Sequence, residues 1–295
     1  MRAALIKLHI SIILAGFTGI FGKLIRLDET PLVWWRLLLA LMVMLPALRL
    51  AGALPPPSAP ALAALFGVGG LQCLHWLLFY ASIRLSTVSV ALVCISLMGF
   101  FSALFSPWIL GAKWSLREFV YSGLSLAGVI LIFHFDSRYR LGIAVGVVSS
   151  AVASLFVVCT KKISGRHPPG ALFFYQILGG WLILTVFVPF YLAARQWAWQ
   201  WPDKRDLAYL ALLSIFCTVV LYIIQWQALR RVSAFTVNLS LNLEPVYSII
   251  LASLILGEAR DFTPSFCAGL ALILLSVALQ TWRLTRAADG GNLHA

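Results

Sequence analysis

Of the ten acidic residues in this 295-residue chain, only Glu244 falls in the middle of a long apolar run; the others lie in polar gaps or at the ends of such runs. An ionisable group among apolar neighbours is expensive unless it meets a partner or water. Pro245, directly after it, removes a backbone donor and kinks a helix, freeing carbonyls beside the carboxyl. Ser240, Glu244 and Tyr247 follow helical spacing and share one face. A carboxyl so placed can bind a proton or an ammonium group; it can equally serve as a fixed hydrogen-bond acceptor or an ion-pair partner. Arg36, after Trp34-Trp35, is the leading basic candidate. Its planar fork of donors matches a carboxylate, although a structural pair with Glu244, or snorkelling of its charge to nearby headgroups, is the alternative. Gln72, His75, Trp76 and Tyr80 keep helical spacing along one segment, Gln225 and Trp226 adjoin in another, and Asn238 and Asn242 stand one turn apart. These are contacts for a small polar ligand or, alternatively, interhelical hydrogen bonds. His9 reads as a packing residue.

The elements that must position these groups follow from composition. Hydrophobic residues make up 61% of the chain and charged residues 11%, against roughly 45–50% and 25% in soluble domains. A segment of about 20 apolar residues crosses the ~30 Å hydrocarbon layer as a helix. Such segments are predicted near 5–25, 32–50, 60–83, 87–110 and 117–135, then near 141–162, 170–194, 206–229, 233–257 and 264–284. The fold class is therefore an all-α membrane protein of about ten transmembrane helices. The first span is expected to be retained, since no small-residue cleavage site follows it and equally apolar runs recur throughout. Gaps carry turn residues such as Pro55-Pro56-Pro57 and Arg166-His167-Pro168-Pro169-Gly170, and Trp197, Trp199 and Trp201 between charges read as an interfacial aromatic belt. The +12 charge is spread through the short gaps without one basic face, which suits lipid headgroups and argues against nucleic acid. Lys and Arg are more numerous on the side that holds both termini, so both termini are predicted in the cytoplasm. Lys23 and Lys161 read as interfacial anchors. The scattered Cys73, Cys94, Cys159, Cys217 and Cys267 lack metal-ligand spacing and read as small buried residues.

A constant displacement along the chain superposes Ser102 on Ser248, Ile109-Leu110-Gly111 on Ile255-Leu256-Gly257, and Gly123-Leu124 on Gly269-Leu270. Two copies of five spans each follow, and an odd span number forces the second copy to enter the membrane inverted. The boundaries expected are residues 1–138 and 139–285, with 286–295 as a flexible cytoplasmic tail. Inverted halves with a site between them near the midplane are a transporter architecture. Close helix approach is expected at Gly16, Gly19, Gly22, Gly142, Gly146, Gly179 and Gly180.

Asn242-Leu243-Glu244-Pro245-Val246-Tyr247, running on to Leu256-Gly257-Glu258, is similar to the L-E-P and G-E signature of the EamA branch of the drug/metabolite transporter superfamily. The first repeat departs from it, since Ala112 stands where the second has Glu258. That resemblance implies two five-helix repeats and export of amino acids or other metabolites across the cytoplasmic membrane by alternating access. No Gly-rich loop precedes Lys-Ser or Lys-Thr, so a gradient is the expected driving force, with protons as the candidate coupling ion and no cofactor. HExxH, GxSxG and paired acids within the spans do not occur, which disfavours an intramembrane enzyme. A non-transporting receptor or scaffold is the remaining alternative. Two repeats in one chain can supply both halves of a pathway, so a monomer suffices and a homodimer stays open.

Overall fold

A computed structural model describes residues 2–114, 116–135, 137–196, 198–229 and 244–291. The described residues form helices joined by short turns, without a strand. In the first half these are α1 (Arg2–Leu24), α2 (Glu29–Leu50), α3 (Ala59–Leu85), α4 (Val88–Ile95), α5 (Met98–Leu110) and α6 (Leu116–Phe135). The second half contains α7 (Arg140–Ile163), α8 (Pro169–Arg195), α9 (Lys204–Ser214), α10 (Leu221–Leu229), α11 (Glu244–Leu256) and α12 (Pro264–Gly291). Seven spans among the described residues are long and apolar enough to cross a membrane, and shorter apolar stretches at Ser122–Leu131, Glu244–Leu256 and Pro264–Ser276 fall in the other three.

Among the described residues, two of the spans are interrupted. The fourth breaks into α4 and α5 at Ser96 and Leu97, where the amides of both residues bond three positions back, to Val93 at 3.2 Å and Cys94 at 3.0 Å. The eighth joins α9 to α10 through a π-helical turn, Ile215–Val220. The last helix continues to Gly291, into the segment expected as a flexible tail, because neither proline nor glycine interrupts it between Gly269 and Gly290.

The packing repeats itself when the halves are exchanged. α1 lies on α11 as α7 lies on α4, and α3 lies on α7 as α10 lies on α1. α2 pairs with its counterpart α8, and α6 with α12. This is the arrangement of two inverted five-helix repeats. One apolar core lies among α2, α3, α8 and the eighth span, including Leu37, Ala40, Trp76, Phe173 and Leu213. A second joins α4, α6, α7, α11 and α12 through Val93, Val129, Ile143, Ile249 and Ile273. The closest helix approach uses glycine. A Cβ on Gly69 of α3 would collide with the Gln176 carbonyl of α8, and one on Gly180 would stand 2.6 Å from the Gly69 carbonyl.

Three of the cysteines, Cys73, Cys94 and Cys217, are buried as expected; Cys159 is half-buried and Cys267 is exposed, on the outer face of α12. His9 is likewise exposed on α1 and does not pack inward.

Candidate functional site

Arg36 lies two turns into α2, where Trp34 and Trp35 precede it and Leu37 and Ala40 follow it into the core. The side chain is 1% exposed, so it does not snorkel to the headgroups. Nε donates to Thr218 Oγ1 at 2.8 Å, one terminal nitrogen to the Tyr80 hydroxyl at 2.8 Å and the other to the Cys217 carbonyl at 3.1 Å. The Trp76 ring lies under the guanidinium at 3.8 Å from its carbon. These acceptors are all neutral. Of the five N–H groups a guanidinium carries, two have no hydrogen-bond partner among the described residues, and no carboxylate there pairs with the charge. The alternative in which Arg36 pairs with Glu244 finds no such contact among the described residues.

The interrupted eighth span supplies half of this cradle. In its π turn Thr218 Oγ1 donates to the Leu213 carbonyl at 3.1 Å, and the Cys217 carbonyl turns toward Arg36. π turns free carbonyls from the helical ladder and recur at functional sites. Ser214 Oγ also donates to the Arg36 carbonyl at 3.1 Å. Thr218, Cys217 and Ser214 were not among the sequence candidates, nor was Tyr222. Ser214, Thr218, Tyr222 and Gln225 do form a polar stripe at helical spacing, the signal that identifies them.

The stripe on α3 divides. Gln72, Trp76 and Tyr80 are buried and face the Arg36 cluster. Gln72 Nε2 donates to the Tyr222 hydroxyl at 2.7 Å, and Tyr222 is held flat against Phe173 with ring centroids 4.4 Å apart. Gln72 Oε1 is buried without a partner. His75 turns instead to α7, where its Nδ1 is 3.1 Å from the Ser149 carbonyl and 3.0 Å from Ser149 Oγ. Glu244 is the first described residue of α11, half-buried and without a hydrogen-bond or ion-pair partner among the described residues. Gln225 and Tyr247 are half-buried and have no described hydrogen bond. Asn238, Asn242 and Ser240 lie outside the described residues, as does the Trp226 side chain.

Above Arg36, toward the end of the bundle remote from the N-terminus, residues 198–203 fold over the site. Trp199 meets Trp34 edge-on at 5.3 Å and Trp201 meets Trp35 at 5.7 Å. Gln200 accepts from the Asp28 amide at 2.6 Å and donates to the Asp28 carboxylate at 2.7 Å, which Arg84 contacts at 2.6 Å. These tryptophans were expected as an interfacial belt; Trp199 is half-buried against Trp34, and Trp201 is exposed at the same end. Trp197 lies outside the described residues. A cleft of 180 Å³ exists at the other end, between the start of α3 and the end of α7, lined by Ser58, Ala64, Leu65, Ile163 and His167. It does not reach Arg36, whose side chain is buried.

The pattern of the EamA-like transporter family matches residues 2–134 and again 140–282. The chain belongs to that family. An uncharacterized transporter of Archaeoglobus fulgidus is 25% identical over 248 residues, covering 80% of this chain and 83% of that relative. An uncharacterized transporter of a Synechocystis strain is 23% identical over 247 residues, covering 80% and 72%. One crystal structure superposes with a TM-score of 0.68 at 17% identity, covering 97% of this chain and 99% of the other, which supports the fold alone. Membership among EamA-like transporters, with transporters as relatives, points to transport rather than catalysis. In this EamA-like chain the two acids of the signature stand apart: Glu244 lies within α11, while Glu258 follows its end.

Proposed function

We propose that the protein is a secondary transporter or exporter of small polar metabolites, with amino acids as the leading substrate class, working by alternating access between its two inverted halves in the cytoplasmic membrane. The observation that carries this reading is the buried guanidinium of Arg36, held by neutral acceptors and without a carboxylate among the described residues. A buried charge without a counter-ion is costly, and a substrate carboxylate would supply one bidentately. The unpartnered Gln72 carbonyl is the natural acceptor for a second polar group, such as the ammonium of the same zwitterion. Trp76 and Tyr80 form the walls, and Glu244 is the candidate proton site. Arg36, Gln72 and Tyr80 are each 1% exposed, so in this reading binding requires the halves to move. Both termini lie in the cytoplasm, and a single chain forms the pathway.

Counterflow in proteoliposomes with a panel of labelled amino acids, run with and without a pH gradient, tests this. Accumulation of at least one zwitterion, weakened by a matched monocarboxylate competitor less than by the unlabelled amino acid, supports the reading. Exchange of none of the panel removes amino acids as the substrate class.

A further inference from the structure

Glu258 was not a site candidate in the sequence, yet both oxygens of its carboxylate accept hydrogen bonds. It is 6% exposed and reaches from the turn after α11 to the first residues of α4. Oε1 accepts from the Val88 amide at 2.9 Å, and Oε2 accepts from the Ser89 amide at 2.8 Å and the Ser89 hydroxyl at 2.7 Å. Thr87 Oγ1 takes the next amide, that of Val90, at 3.1 Å. The free amides that begin any helix are thus satisfied in α4 largely by a side chain from the opposite repeat, whose charge also complements the helix dipole. α4 is a short piece, buried at every position and already separated from α5 by the break at Ser96 and Leu97.

The repeat makes this contact one-sided. Gly257 ends α11 with φ +71° and Gly111 ends α5 with φ +67°, so the two repeats turn in the same left-handed way at equivalent positions. After that turn the second repeat places Glu258, whereas the first places Ala112, which has no carboxylate. Inverted symmetry puts these two turns at opposite ends of the bundle. We infer that Glu258 is an inter-repeat latch that biases the protein toward the conformation closed at the end remote from the N-terminus, and that Ala112 leaves the other end without an equivalent. The latch must release α4 when that end opens, and the break between α4 and α5 is where the fourth span yields. This inference rests on the alternating-access reading.

Spin labels at Leu85 of α3 and Leu254 of α11, both exposed and on different repeats, report the separation of the halves at the latched end without any substrate. The unaltered protein should give a predominantly narrow distance distribution. Glu258→Ala removes three charge-assisted hydrogen bonds and should raise the ratio of wide to narrow populations by about tenfold or more. Glu258→Gln, which keeps its shape and one acceptor, should raise it by a smaller factor. Unchanged distributions in a folded variant overturn the latch, and so does loss of folding in both variants, which would make Glu258 a stability element. A widened distribution in a protein that exchanges no amino acid would keep the latch and remove amino acids as the substrate class, so the two failures are distinguishable.

Discussion

Arg36 and Glu244 stand in different circumstances although the sequence presents both as ionisable groups in apolar runs. Arg36 is enclosed by Thr218, Tyr80, the Cys217 carbonyl and the Trp76 ring. Its fork geometry is what a carboxylate would use, so Arg36→Lys, which keeps the charge and loses the fork, should lower counterflow about tenfold or more while the protein still inserts and elutes as a single species. Flux equal to that of the unaltered protein would assign Arg36 to packing. Glu244 lacks a described partner, and its proposed role is proton or ammonium binding. Glu244→Gln should therefore abolish the response of flux to an imposed pH gradient, and a response of unaltered size would remove Glu244 from coupling. Residue type and spacing disclosed Arg36, Gln72, Trp76 and Tyr80, because polar groups at helical intervals within an apolar segment must face inward. The carbonyl of Cys217 was not legible, since any residue carries one and only a departure from regular helix turns it toward a ligand.

That departure belongs to the scale of the element. The spans were readable from apolar length, whereas the π turn at Ile215–Val220 and the break at Ser96 and Leu97 were not, because neither contains the glycine or proline that would announce it. Helix contacts were partly readable. Gly179 and Gly180 announced a close approach, but the partner surface, α3 at Gly69, follows only from the fold. α3 carries Gln72, Trp76 and Tyr80, and its seat against α8 fixes their depth. Gly69→Val places branched carbons against the Gln176 carbonyl, and overpacking of this kind costs about 1–3 kcal/mol. The variant should melt several degrees lower in detergent and lose flux in parallel. Gly67→Val, on the same helix with nothing within 4 Å of the added carbon, is the control; equal effects of the two would mean that helix propensity, not the α3–α8 contact, is being measured.

At the scale of the whole molecule, a few coincidences such as Ile109-Leu110-Gly111 with Ile255-Leu256-Gly257 anticipated the duplication, and the packing of helices in exchanged pairs expresses it. The departure from symmetry at Ala112 and Glu258 was visible too, but its meaning required the three-dimensional neighbour, Val88 and Ser89, far away in the chain. Inverted halves make the two membrane faces nearly equivalent in shape, so orientation depends on the distribution of Lys and Arg, and that bias is slight. Gly165 lies in the turn between α7 and α8 with open space around it, and Lys204 is exposed at the start of α9. In a background without the native cysteines, Lys204→Cys should react with an impermeant maleimide added to intact cells, while Gly165→Cys should react only after permeabilisation. The reverse pattern would invert the orientation and place the Glu258 latch on the cytoplasmic face. Labelling of both positions in intact cells would mean that the chain inserts both ways, as the small charge bias of two opposed repeats permits.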